Sequence, residues 1–153
     1  MRLPPVSSLA LMTTVFAVAT MALGSYVSKV GAGLACPDWP LCPIQSDPFI
    51  VLEFTHRIIA FTTFVLGLAT FVQARKKAGT AVGRLVSFGF ATLFAQVFIV
   101  GALVIFTALP PLVVAVHQAV AGTVVAFYAA GAAASWLVTR KKLNRPEEAF
   151  THG

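Results

Sequence analysis

The chain has 153 residues, of which 58% are hydrophobic and 10% charged, and its mean hydropathy is +0.88. This composition is typical of a membrane protein with several spans and excludes an ordinary soluble domain. The formal charge of +6 would suit nucleic acid, but the basic residues cluster at the ends of apolar runs. We therefore expect membrane lipid and no nucleic acid as the surroundings of the chain.

Four apolar segments are long enough to cross a membrane, since a helix needs about 20 residues to span roughly 30 Å of hydrocarbon. The sequence therefore predicts an all-α membrane protein, a single domain built as an antiparallel bundle of four transmembrane helices. The first segment has a second interpretation, because Arg2, an apolar core and the small residues at 22–25 resemble a signal peptide. The predicted spans are residues 8–27, 48–73, 85–109 and 110–138.

The distribution of positive charge predicts the topology. Nine of the eleven basic residues lie near the N-terminus, in the second connection or in the C-terminal tail. Since basic residues favour the cytoplasmic side, we expect both termini inside and the first and third connections outside, with Lys29 and Arg57 as exceptions. The protein would then be a multi-pass protein of the cell membrane, with outer loops facing the oxidising, periplasmic or extracellular side.

Both cysteines lie in the outer loop, residues 28–47, within the run Cys36-Pro-Asp-Trp-Pro-Leu-Cys42. On the oxidising side of a membrane, a disulfide between them is the default expectation. It would close a short loop above the helix ends. Dithiol exchange with a redox partner is the functional alternative.

The second segment opens with three ionisable side chains in the run Glu53-Phe-Thr-His56-Arg57. A charge inside a bilayer costs roughly 3 kcal/mol on the insertion scale, so residues of this kind usually serve a function. Glu53 and His56 are three positions apart and therefore share one face of a helix. Asp47 and Pro48 are suited to cap and begin that helix.

Two histidines occupy matched depths in segments that run in the same direction. His56 follows Pro48 and His117 follows Pro110 at similar spacing, which places both roughly 10 to 12 Å below the helix ends at about 1.5 Å per residue. A haem iron with one imidazole on each side is the object that such a pair can hold. The alternative is that each histidine bonds to a neighbouring helix and only supports packing.

Three further side chains are candidates for the same site. Glu53 could orient the imidazole of His56, act as a base or stabilise positive charge on a substrate; the alternative is a carboxylate in water at the rim, paired with Arg57. Arg57 would extend outward or hold an acidic group such as a haem propionate. Gln96 lies in the middle of the third segment, where it would support helix packing or contact the bound haem.

These residues resemble the haem A synthase family over roughly two thirds of the chain. The outer loop with its cysteine pair, the E-x-x-H-R motif, the third helix and the start of the fourth all take part. The matching runs are Gly24-Ser-Tyr-Val, Gly33-Leu-Ala-Cys-Pro-Asp-Trp-Pro-Leu-Cys42, Glu53-Phe-Thr-His-Arg57, Gln96-Val-Phe-Ile-Val-Gly-Ala-Leu-Val104, and Thr107-Ala-Leu-Pro-Pro-Leu112 with His117.

The resemblance implies an oxidoreductase that oxidises a methyl group of haem O to a formyl, giving haem A for terminal oxidases. His56 and His117 would be the haem iron ligands, Glu53 the catalytic residue, and Arg57 and Gln96 haem-binding or substrate-binding residues. Usual family members have eight helices in two similar halves, one for haem O and one for haem b. This chain resembles the half with the glutamate and the cysteines, so a compact form acting as a homo-oligomer is expected. Haem O synthase and the terminal oxidase assembly are the implied partners.

Two other functions remain open. A non-catalytic cytochrome b that relays electrons would use both histidines but gives no reason for Glu53. A quinone-linked thiol oxidase would use outer cysteines, but usually needs two pairs where this chain has one. The pigment extracted with the protein separates the three: haem O or haem A indicates the synthase, haem b alone the cytochrome, and no haem the thiol oxidase.

Overall fold

The computed structural model of the protein describes residues 5–36, 38 and 46–144. These residues are almost entirely helical, and no strand occurs among them. Four helices in this part of the chain are long and apolar enough to cross a membrane, which confirms the predicted all-α protein with four spans. The helices are α1 (Val6–Lys29), α2 (Pro48–Ala74), α3 (Ala81–Phe106) and α4 (Pro111–Leu143). Short 3₁₀ turns follow α1 and α2, at Ala32–Leu34 and Arg75–Lys77.

The start of α2 follows from two residues of the sequence. The Asp47 Oδ1 atom accepts hydrogen bonds from the N–H groups of Phe49 and Ile50, at 2.8 and 3.2 Å. Pro48 occupies the first helical position, where its missing N–H has no cost. This is the helix start that the sequence predicts.

The bounds of α3 differ from the predicted 85–109 at both ends. The helix begins at Ala81 because the Thr80 hydroxyl accepts a hydrogen bond from the N–H of Gly83 at 3.2 Å and caps the first turn. It ends before Ala108 and Leu109, which both have φ of +59°. A left-handed conformation costs an ordinary residue about 1–2 kcal/mol and cannot continue a right-handed helix.

The four helices pack in ring order, each against its two neighbours, and α2 and α3 share the smallest interface. The two ends of the bundle differ. We call the end that carries the outer loop and the turn 107–110 the loop end, and the end that carries Arg75–Lys77 and Arg84 the basic end. The apolar core fills the half next to the basic end, and its buried members are Val6, Ala10, Ala17, Ala74, Val82, Val86, Leu93, Val124 and Tyr128.

Helices α1 and α2 are joined by two pairs of threonine hydroxyls. The Oγ1 atoms of Thr20 and Thr63 are 2.9 Å apart, and those of Thr13 and Thr70 are 3.1 Å apart. Each of these hydroxyls also lies within hydrogen-bond distance of the carbonyl four residues earlier in its own helix. Because a hydroxyl carries one proton, one member of each pair donates to its partner and the other donates to its own helix carbonyl. Hydrogen bonds of this kind stabilise helix contacts in lipid, where no hydrophobic force holds helices together.

Helix α3 changes its winding in the middle. It is α-helical over Ala81–Ala95, π-helical over Gln96–Val100 and α-helical again over Gly101–Phe106. The N–H of Gly101 donates to the carbonyl of Gln96 across the wide turn. Such a turn alters the direction of the side chains around it and is frequent at functional sites. Nothing in the sequence predicted it.

The small residues of α4 pack inside the chain. A Cβ placed on Gly131 would lie 3.1 Å from Cγ2 of Val86 in α3, and Ser135 is buried. Small residues four positions apart allow helices to approach closely, within one copy or between copies. Here both pack within one copy, so the homo-oligomer stays a prediction.

Candidate functional site

A cavity of about 470 Å³ lies between the four helices, in the half of the bundle next to the loop end. Residues from all four helices line it, and most of its surface is apolar. Its volume is in the range of about 300–1,000 Å³ that is usual for small-molecule and cofactor sites. Leu109 and Gly33 meet at its loop end, where a Cβ on Gly33 would lie 3.1 Å from Cδ1 of Leu109.

The five side chains that the sequence singled out inside the spans all line this cavity. They are Glu53, His56 and Arg57 on α2, Gln96 on α3 and His117 on α4. The structure therefore brings together residues that lie far apart in the chain. Their roles as catalytic residue, iron ligands and binding residues remain predictions.

His56 lies against α1 at a position where only glycine fits. A Cβ on Gly24 would be 2.7 Å from Cε1 of His56, closer than ordinary side chains approach. The Nδ1 atom of His56 is buried and has no hydrogen-bond partner in the described part of the chain. A buried polar nitrogen without a partner costs about 1–3 kcal/mol, which a bound ligand would recover.

His117 has looser surroundings. A Cβ on Gly101 would lie 3.8 Å from Cε1 of His117, an ordinary contact. Gln96 Nε2 donates to the backbone carbonyl of His117 at 3.0 Å, so the π-helical turn of α3 holds α4 at this point. His117 Nδ1 and Gln96 Oε1 are both buried without a partner among the described residues.

Glu53 is buried, with 5% of its surface exposed, and it is paired with Arg57. Arg57 Nε donates to Glu53 Oε1 at 2.9 Å. Arg57 also donates through Nη2 to the carbonyl of Cys36 at 2.6 Å, and through Nη1 to the carbonyl of Asp38. The guanidinium therefore joins the carboxylate to the outer loop. The alternative for Glu53 was a carboxylate in water at the rim, paired with Arg57. The pair with Arg57 is present, but the carboxylate is buried in protein.

In the outer loop, the structure describes residues 28–36, 38, 46 and 47. Cys36 is fully buried, and its Sγ atom lies 3.8 Å from the carbonyl oxygen of Ile50 in α2. Cys42 lies outside the described residues, so its disulfide with Cys36 stays a prediction.

The residues of the cavity fit a haem. Two imidazoles on parallel helices line one apolar space, and each has a buried nitrogen without a partner in the described chain. Imidazole nitrogens are usual axial ligands of haem iron. The apolar lining suits a porphyrin, and the two imidazoles can supply the iron ligands without a further residue.

Three features of the site were not predicted. Gly24 makes room for His56, the Thr20–Thr63 pair forms part of the wall, and Leu109 closes the loop end. Thr13 and Thr20 are seven residues apart in α1, and Thr63 and Thr70 are seven residues apart in α2. This spacing puts the two threonines of each helix on one face of that helix. That repeat was the signal for the threonine contacts. A glycine in an apolar helix gives no comparable signal of what it touches.

Three curated proteins named haem A synthase are similar to this chain. The one from Ruegeria sp. (strain TM1040) is 29% identical over 122 residues, which is 69% of this chain and 32% of the relative. The one from Bacillus licheniformis is 33% identical over 76 residues, 46% of this chain and 25% of the relative. The one from Jannaschia sp. (strain CCS1) is 27% identical over 112 residues, 63% of this chain and 29% of the relative. No protein-family model and no solved structure matches the chain.

Fold and cavity together define a class of protein: a helical membrane protein with four spans and an intramembrane cavity that two histidines and a carboxylate line. Within that class, the matches relate the chain to the haem A synthase family, as the motifs of the sequence indicated. The chain spans about a quarter to a third of the length of these curated relatives.

Proposed function

We propose that the chain is a membrane oxidoreductase that converts a methyl group of haem O to a formyl, producing haem A. One observation carries the proposal: Glu53, His56 and His117 line the same cavity, and each imidazole has a buried nitrogen without a partner in the described chain. The shared name of the three relatives supports the same substrate and product.

Each residue of the cavity has a proposed role. His56 and His117 would hold the iron of haem O, which orients the porphyrin between α2 and α4. Glu53 would lie near the reacting methyl group, where a carboxylate can stabilise positive charge or orient water. Gln96, whose Oε1 atom is buried without a described partner, would accept a hydrogen bond from the ligand. Arg57 would act next to Glu53, to which it is bonded.

The reaction also requires components beyond these residues. With water as the oxygen source, conversion of a methyl to a formyl releases four electrons and four protons, so a membrane electron acceptor must take the electrons. The role of the cavity is to hold the porphyrin, exclude bulk water and place Glu53 beside the reacting carbon. His56 and His117 would hold the porphyrin while the acceptor takes these electrons.

The proposed setting is the cell membrane, with the loop end on the oxidising side. The support is the charge distribution: the basic end carries Arg75, Lys76, Lys77 and Arg84, and basic residues favour the cytoplasm. Haem O synthase would supply the substrate, and the terminal oxidase assembly would receive the product. A homo-oligomer is part of the proposal.

Pigment analysis tests the proposed function. The chain is expressed in a host that lacks its own haem A synthase but makes haem O, and the haems that purify with it are separated and weighed by mass spectrometry. The proposal expects bound haem O together with haem A. Haem b alone would indicate an electron-relaying cytochrome, and a colourless protein would favour the thiol oxidase; either result overturns the proposal.

A further inference from the structure

Arg57 is the one described side chain that contacts both the carboxylate of the cavity and the outer loop. Its Nε atom donates to Glu53 Oε1 at 2.9 Å, while Nη1 and Nη2 donate to the carbonyls of Asp38 and Cys36. The Arg57 side chain is 13% exposed and that of Glu53 is 6% exposed. Both charged groups are therefore largely removed from solvent.

The planar shape of the guanidinium explains why these contacts act together. Its N–H donors are fixed relative to one another, so a shift of one acceptor strains the bonds to the others. Charges this deeply buried are stable only when they are paired and hydrogen-bonded, which further restricts their movement. The position of the Glu53 carboxylate is therefore tied to the position of the loop.

The loop side of this connection is also well anchored. Cys36 is fully buried and lies two residues after the 3₁₀ turn Ala32–Leu34, whose Gly33 packs against Leu109 at the loop end of the cavity. The carbonyls that Arg57 contacts therefore belong to a segment that covers the cavity. A movement of this segment would reach Glu53 through one side chain.

We propose that Arg57 is a positioning residue that couples the outer loop to Glu53. In this account the guanidinium holds the carboxylate at the mouth of the cavity only while the carbonyls of Cys36 and Asp38 keep their places. In this proposal Arg57 acts through Glu53, in place of the haem-binding role that the family resemblance implies. The coupling stands on the contacts alone, whereas its consequence for turnover rests on the proposed oxidation of haem O.

Two substitutions of Arg57 separate charge from geometry. Arg57→Gln removes the charge and the fork of donors, and Arg57→Lys keeps the charge but offers a single point of contact. Lys29→Gln is the matched control, because Lys29 is an exposed cation at the same end of the bundle. A monodisperse profile in detergent and an unchanged circular-dichroism spectrum show that each variant is folded.

The first measurement is hydrogen–deuterium exchange at the backbone of residues 32–36. Arg57→Gln and Arg57→Lys should both exchange faster than the unchanged protein, while Lys29→Gln should not differ from it. Exchange in Arg57→Gln at the rate of the unchanged protein would overturn the coupling. This comparison requires no turnover, so it gives a result even when haem O is not oxidised by any form of the protein.

The second measurement is turnover of haem O. Because a small misplacement of a reacting group can cost about 100-fold in rate, Arg57→Gln should lower kcat by about that factor and leave KM and the bound haem unchanged. Arg57→Lys should restore only part of the rate. Loss of haem O binding in Arg57→Gln, or full recovery by lysine, would overturn the positioning role. Absence of turnover in the unchanged protein would instead contradict the proposed function.

Discussion

The two histidines of the cavity lie at similar depth, but their surroundings differ. His56 lies on a polar side: Gly24 of α1 touches its ring, and Glu53 and Arg57 flank it in sequence. His117 has no charged neighbour in sequence: Gln96 bonds to its backbone carbonyl, and a Cβ on Gly101 would lie at an ordinary van der Waals distance from its ring. The first imidazole is thus closely fitted and next to charged groups, and the second is held mainly through its backbone.

The two sides of the cavity are also held together differently. On the α1–α2 side, hydrogen bonds between side chains join the helices, and Arg57 bonds to Glu53, so we call this side the rigid wall. On the α3–α4 side, a hydrogen bond between the helices runs from Gln96, at the π-helical turn, to the backbone carbonyl of His117. If the proposed function holds, we expect substitutions on the rigid wall to disturb the bound haem more than substitutions on the other side.

The largest effect is expected from loss of either imidazole. His56→Ala and His117→Ala should each reduce bound haem by more than the roughly 10–100-fold typical of residues that only support a ligand. Both variants should also lose the low-spin absorption spectrum, because one axial ligand is missing. Absorption spectra of the purified variants provide the test. A low-spin spectrum retained at full strength in either variant would contradict ligation by both histidines.

The two glycines test the difference in fit directly. Gly24→Ala would place a Cβ 2.7 Å from the ring of His56, whereas Gly101→Ala would leave 3.8 Å to the ring of His117. Since overpacking a tight contact costs about 1–3 kcal/mol, Gly24→Ala should shift the haem spectrum and lower the unfolding temperature.

Gly101→Ala serves as the matched variant, and its spectrum should change less. Its new Cβ would meet the carbonyl of Gln96 at 3.1 Å, so a small effect on α3 itself is expected. Equal spectral shifts in both variants, or a larger one in Gly101→Ala, would show that the two sides do not differ in fit.

Gln96→Leu should have a smaller effect. It removes the 3.0 Å bond to the carbonyl of His117, worth about 1 kcal/mol, but also removes the buried Oε1 atom that lacks a described partner. The free energy of unfolding should therefore change little, while haem should dissociate faster because α4 is less firmly held. Thermal unfolding and haem transfer to apomyoglobin measure the two quantities. A large loss of stability with unchanged haem release would assign Gln96 to packing alone.

The smallest effect is expected from the threonine pairs. In lipid, an interhelical hydrogen bond contributes about 0.6 kcal/mol on average, so Thr63→Val should destabilise the chain by roughly that amount. A double-mutant cycle with Thr20→Val isolates the contact, and the Thr13–Thr70 pair, outside the cavity, is the control. Coupling energies near zero for both pairs would show that these hydrogen bonds do not hold α1 against α2.

The sequence predicted the parts of the structure that depend on local chemistry. Four apolar runs predicted the four spans, and Asp47 with Pro48 predicted the start of α2. The matched spacing of the two histidines predicted that they share one site, and both line the same cavity. These features depend on the order of residue types along one helix. The pattern of residue types is expected to predict structure well in lipid, because every span must form the hydrogen bonds of its backbone internally.

The features that were not predicted depend on contacts between helices or with backbone atoms. Gly24 meets His56 because α1 and α2 pack at one particular height, and the π-helical turn at Gln96 reflects the fit of α3 to α4. Arg57 bonds to two loop carbonyls, and a carbonyl is present in every residue, so no pattern of residue types marks it. Such contacts can be recognised only in the folded structure.

The central claim is that this cavity oxidises the haem O held by its histidines, with Glu53 as the catalytic residue. Its most direct test is the mass of the haem extracted from Glu53→Gln after incubation with haem O and an electron acceptor, beside the unchanged protein. The amide has nearly the shape of the carboxylate and lies one turn from His56, so binding should persist. The account predicts bound haem O and no haem A in this variant. Haem A formed at the rate of the unchanged protein would contradict it.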